Sequence, residues 1–151
     1  MRVLLVLFLF IIKGNLVSAQ DSTDFYIRNL SWQSLFLKIN YGTRLRLTND
    51  AEKIIAAKSN KTVKKLYCEI SNGNKSAVIH IILSRMFEPK SSKINANYIY
   101  KSDSMVGISY LCNKLKWEYN IKEDEYSLDP KDIEWIKRYW SHKIPFLKNY
   151  P

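Results

Sequence analysis

The stretch CNKLKWEYNIKEDEYSLDPKDIEWIKRYW, residues 112–140, reads as a strand, a second short strand and a capped helix in succession. Leu115, Trp117, Tyr119 and Ile121 alternate with Lys116, Glu118, Asn120 and Lys122, the period-2 pattern of a strand with one buried face. Asp129 stands where it would N-cap a helix, Pro130 takes the first helical position with its φ already set, and Asp132 puts negative charge in the first turn. Ile133, Ile136 and Trp140 follow at i, i+3 and i+7 with Trp135 and Tyr139 beside them, while Lys131, Lys137, Arg138 and Lys143 line the remaining surface. Asp129, Pro130, Trp135, Ile136 and Trp140 are therefore the expected structural residues of a helix lying across a sheet.

Outward from this stretch the pattern predicts mostly strands. Residues 94–100 and 105–111 read as two strands around Lys101-Ser102-Asp103-Ser104, and 88–93 as a loop. Leu66, Cys68 and Ile70 alternate as a half-buried strand, Ser71-Asn72-Gly73-Asn74 reads as a turn, and the apolar, β-branched run 77–83 as a central strand. Residues 35–39 and 43–48 flank Asn40-Tyr41-Gly42 as a hairpin, although 31–37 also fits part of a helix, and Thr48-Asn49-Asp50 is placed to start a short helix through Lys58. The expected class is α+β: a small antiparallel sheet with a C-terminal helix packed across it, preceded by a β-rich N-terminal extension. An immunoglobulin-like β-sandwich is the alternative, suggested by the many strands and by Tyr110 two residues before Cys112. Against it, no Trp lies between Cys68 and Cys112.

The first residues carry a different signal. Arg2, the apolar run 3–12 and the small-residue exit Val17-Ser18-Ala19 have the form of a secretory signal peptide spanning 1–19, which leaves 20–151 as one secreted domain with no membrane span. Removing 1–19 takes away Arg2 and Lys13 but no acid, so the net charge falls from +10 to +8. A basic extracellular domain favours polyanions, which there are sulfated glycans rather than nucleic acid. Cys68 and Cys112 are the chain's two cysteines, and an oxidising compartment predicts one disulfide between them, contributing roughly 4 kcal/mol through loop closure. Asn29, Asn60 and Asn74 each head a glycosylation sequon.

Catalytic chemistry has little to build on. His80 sits inside an apolar run and His142 near the end of the last helix, neither in a metal or nucleophile spacing. Glu123, Asp124 and Glu125 read as a solvated turn, and four glycines form no phosphate-binding loop. The expectation is a non-enzyme with no cofactor and no metal.

Cys112-Asn113-Lys114, the strand after it, Leu128-Asp129-Pro130-Lys131 and Trp135-Ile136 together resemble the C-terminal half of a chemokine. Three of that family's four cysteine positions are unmatched, with Ser127 standing where the fourth belongs. The resemblance implies a secreted, cytokine-like ligand that modulates immune cells through a cell-surface receptor and holds to sulfated glycosaminoglycans. Lys137, Arg138, Lys143 and Lys148 are the expected glycan-binding residues, as a basic strip on the helix side away from Ile136 and Trp140. The alternative fold implies a secreted binding protein that sequesters or engages a host or partner protein.

Overall fold

A computed structural model describes residues 22–39 and 43–150. The signal segment expected at 1–19 and the Asn40-Tyr41-Gly42 turn lie outside these residues. Residues 22–28 are helical (α1) and lead through a 3-10 turn, Trp32–Ser34, into the antiparallel strands β1 (Leu35–Ile39) and β2 (Thr43–Leu47). Three helices follow, α2 (Asn49–Ala56), α3 (Asn60–Glu69) and α4 (Gly73–Phe87). The second half is an antiparallel meander in the order β3 (Asn95–Lys101), β4 (Ser104–Cys112), β5 (Leu115–Asn120) and β6 (Glu125–Ser127), then α5 (Pro130–Lys143) and a last 3-10 turn, Pro145–Leu147. The class is α+β, with a small antiparallel sheet and a C-terminal helix after it.

The N-terminal half corrects the expectation of a β-rich extension. Its one hairpin is present, but residues 66–70 and 77–83 are helical, and Ser71-Asn72-Gly73-Asn74 joins two helices. Local capping decides the first case: the Ser59 hydroxyl accepts from the Thr62 amide at 3.1 Å and starts α3. The second has a different cause. Every residue from Ser76 to Leu83 is buried, so the helix carries no polar face, and an unbroken apolar run cannot be told from a central strand by periodicity. An Asn72 side chain that accepts from the Asn74 amide at 3.3 Å marks its start. With these helices in place the described residues form no pair of face-packed sheets, and the immunoglobulin-like alternative falls.

α4 is the centre of the molecule, packed by α2, α3, α5 and the turn Trp32–Ser34. Of its buried polar residues Ser76 is satisfied locally, its hydroxyl donating to Ile70 O at 2.5 Å. The sheet joins the same core through one face, where Ile108, Tyr110 and Cys112 on β4 pair across to Tyr119, Trp117 and Leu115 on β5. Two-residue turns with left-handed backbone at both positions, Ser102-Asp103 and Asn113-Lys114, hold the meander in register. On the opposite face Gly107 is required, because a Cβ there would stand 2.8 Å from the Tyr119 carbonyl oxygen.

α5 starts as its sequence indicates, with Asp129 accepting from the Lys131 amide at 2.9 Å and Pro130 in the first turn. Its buried stripe lies along α4 and not, as the sequence pattern predicts, across the sheet. Ile133 reaches Gly73, Trp135 and Trp140 lie against His80, and Tyr139 and Lys143 reach Glu88, so the two helices run in the same direction. Trp140 and Ile136 are fully buried, whereas Trp135 is partly exposed. Trp140→Ala is therefore expected to cost about 3–5 kcal/mol, and Trp135→Ala no more than about half as much. Urea midpoints of the two variants check this, and equal losses would contradict the packing described.

Candidate functional site

His80 occupies the centre of α4 and is fully buried. The Trp140 indole N–H donates to His80 Nδ1 at 3.1 Å, and an indole nitrogen can only donate. The ring therefore carries its proton on Nε2, which donates to the Cys112 carbonyl at 3.3 Å. Burial lowers the His80 pKa to about 4 against the opposing pull of the Cys112 and Asn113 carbonyls and the Glu88 charge. His80 is thus a neutral core residue joining α4, β4 and α5, while His142 is exposed and bonds Arg138 O at 2.7 Å. Among the described residues no three metal-ligating side chains converge.

More than two turns further on, at the C-cap of α4, Glu88 gathers a second polar junction. Asn113 Nδ2 donates to Glu88 Oε2 at 2.7 Å and to the Ser84 hydroxyl at 3.0 Å, the Tyr139 hydroxyl donates to Glu88, and Lys143 pairs with it at 2.9 Å. Partial burial pushes the Glu88 carboxyl up, but the bonds from Tyr139, Lys143 and Asn113 outweigh it and hold the pKa at about 2. This clamp ties the end of α4 to the β4–β5 turn and to α5.

The clamp also breaks up the expected basic strip. Lys143 is held on one flank of α5 by Glu88 and lies over the Tyr139 ring, whereas Lys137 leans the other way, its ammonium 5.9 Å from the Tyr67 ring of α3. Arg138 and Lys148 are exposed. On the Lys137 flank, Tyr67 meets Tyr150 edge to face at 6.5 Å, and the Lys64 ammonium sits 5.0 Å from the Tyr150 ring. Neither Lys64 nor Lys137 forms an ion pair among the described residues, unlike Lys65 with Asp24. The structure thus brings together Lys64 and Lys137 on two tyrosines that meet edge to face, a grouping drawn from α3, α5 and the C-terminal segment that linear spacing along one helix does not show.

The remaining sequence-level sites separate. Asn29, Asn60 and Asn74 are all exposed, the last two in the opening turns of α3 and α4. Glu123, Asp124 and Glu125 are exposed, and Asp124 accepts from the Tyr119 hydroxyl at 2.6 Å. Beside them a groove of about 610 Å³ on the outer sheet face mixes Lys101 and Lys122 with Glu118, Glu123 and Glu125, which favours no single ligand charge. No helix among the described residues is long and apolar enough to cross a membrane.

The disulfide expected between Cys68 and Cys112 is not formed, and both thiols are free. Cys68 is exposed on α3 beside Tyr150, whereas Cys112 is sealed under the sheet, its Sγ donating to Ser92 O at 3.5 Å. A bridge would require one shared environment, and their elements supply two. Burial pushes the Cys112 thiol up to about 12, partly opposed by the Arg85 charge, which leaves almost no thiolate at neutral pH.

Two measurements follow from this geometry. A thiol reagent is expected to modify one cysteine, Cys68, in the native protein and both after denaturation; two unreactive thiols in the denatured, unreduced chain would restore the bridge. Stability should depend on His80, whose folded pKa lies below its unfolded value of 6.5, so the unfolded chain binds the extra proton and stability is lost as pH falls from 6.5 toward 4. The loss is on the order of 3 kcal/mol over that window, read by urea denaturation at each pH. His80→Gln keeps an acceptor for Trp140 and should flatten the slope, whereas an unchanged slope would place the responsible group elsewhere. Comparison of the chain with protein-family models, with curated proteins and with solved structures found no match.

Proposed function

We propose that the chain is a secreted, non-catalytic binding protein that holds sulfated glycosaminoglycans on the face shared by α3, α5 and the C-terminal segment. The observation that carries this reading is the pair Lys64 and Lys137, two cations without carboxylate partners among the described residues, each resting on a tyrosine ring. Aromatic contact restrains a lysine that would otherwise sample many rotamers, so less entropy is lost when a polyanion arrives. The net charge, +10 for the full chain and +8 once residues 1–19 are removed, draws anions toward the molecule at long range, and the paired tyrosines fix where two of those charges stand. Lys64 and Lys137 are half-buried, whereas Arg138, next to Lys137 in the chain, and Lys148, two residues before Tyr150, are exposed; Lys143, neutralised by Glu88, contributes less.

A receptor-directed, chemokine-like role is a second reading, favoured by an Asp129-capped helix that directly follows an antiparallel sheet. Leukocyte migration toward the purified secreted protein tests it, and lack of any response at saturating concentration would remove it.

For the glycan face, Lys64→Ser, Lys137→Ser and Lys148→Ser together are expected to lower the salt needed for elution from heparin well beyond the effect of Lys101→Ser, Lys116→Ser and Lys122→Ser. Both sets remove three charges, so equal shifts would mean diffuse charge attraction with no localised face.

A further inference from the structure

A second concavity, sharing no residue with the tyrosine-lysine face, lies where β2, α2, the end of α4 and the loop before β3 meet. Its volume is about 510 Å³, inside the range of small-molecule sites, and its lining includes Arg46, Arg85, Lys93, Glu52, Pro89 and Ile94. Three cations therefore face one carboxylate. Arg85 comes from the last turn of the buried central helix, is only 26% exposed, and is held by Glu52. Its guanidinium is thus fixed by the best-packed element of the fold. Arg46 and Lys93 are exposed and form no ion pair among the described residues, so two positive charges of the lining remain without a carboxylate partner.

From this arrangement we infer an anion-binding site for a tetrahedral oxyanion ester, a sulfate or phosphate monoester carried on a small ring. Arginine forks match such oxygens in two-point fashion, and Lys93 supplies a mobile third charge. Pro89 and Ile94 give an apolar wall against which a sugar or similar ring can lie. Glu52 competes with the ligand for Arg85, so the site contains its own antagonist, and occupancy requires Arg85 to be shared or released.

The test uses the full secreted chain and a matched set of probes: N-acetylglucosamine 6-sulfate, N-acetylglucosamine 6-phosphate and unsubstituted N-acetylglucosamine, titrated by NMR. At least one ester should bind saturably and at least about tenfold more tightly than the unsubstituted sugar. Preference between the two esters identifies whether sulfate or phosphate is the natural group. Arg46→Gln with Lys93→Gln should weaken binding at least about tenfold at an unchanged urea midpoint, and Glu52→Gln should tighten it by freeing Arg85. Lys64→Ser with Lys137→Ser should leave it unchanged, which separates this site from the glycan face whichever way that reading falls. Absence of saturable ester binding, equal affinity in the Arg46/Lys93 variant, or loss in the Lys64/Lys137 variant would each overturn the inference.

Discussion

The bond from the Trp140 indole to His80 is the constraint on which the remaining packing depends. A histidine at full burial must have both ring nitrogens satisfied, and here one partner comes from the last helix and the other from the carbonyl of Cys112 in the sheet. The tautomer, the position of α5 and the approach of β4 to α4 are thereby fixed together. Phe87, Trp135 and Tyr139 fill the space around the same junction with aromatic rings, so the polar contact lies inside an apolar cage.

Much of the second half was legible from residues alone, because each element there carries its own period or cap. The alternation from Leu115 to Asn120 and the Asp129-Pro130 start needed no tertiary information, and the strands on either side of Lys101-Ser102-Asp103-Ser104 appear where alternation and turn chemistry place them. Residues 77–83 failed for the opposite reason. A helix surrounded on every side loses the polar face that betrays helical period, and β-branched residues then argue for a strand. The distinguishing feature is length: the helix from Gly73 to Phe87 has fifteen residues, against the five or six typical of a strand.

The surface was less legible than the fold. Reading cations along one helix grouped Lys137 with Lys143, yet they lean to opposite neighbours, one toward Tyr67 and the other toward Glu88. What places Lys64 beside Lys137 is the packing of α3 and the return of the chain at Tyr150, both consequences of the central helix. The same applies to Arg46, Arg85 and Lys93, which come from three separate segments. The two cysteines show the principle in reverse, since compartment and count favoured a bridge while helix α3 turns one thiol outward and the sheet encloses the other.

The sixty residues that separate His80 from its partner Trp140 impose an order on biosynthesis. The most apolar helix among the described residues leaves the ribosome long before the segment that covers it has been translated. Until residues 130–147 have emerged, the side of α4 bearing His80 has no permanent cover, and the nascent chain must be sheltered or kept from associating with its neighbours. Final consolidation therefore waits for the carboxyl-terminal end, where Ile144 and Leu147 also become buried. A translation product that stops short of α5 would be a chaperone client from the outset, whereas one complete to Leu147 has what it needs to close its core.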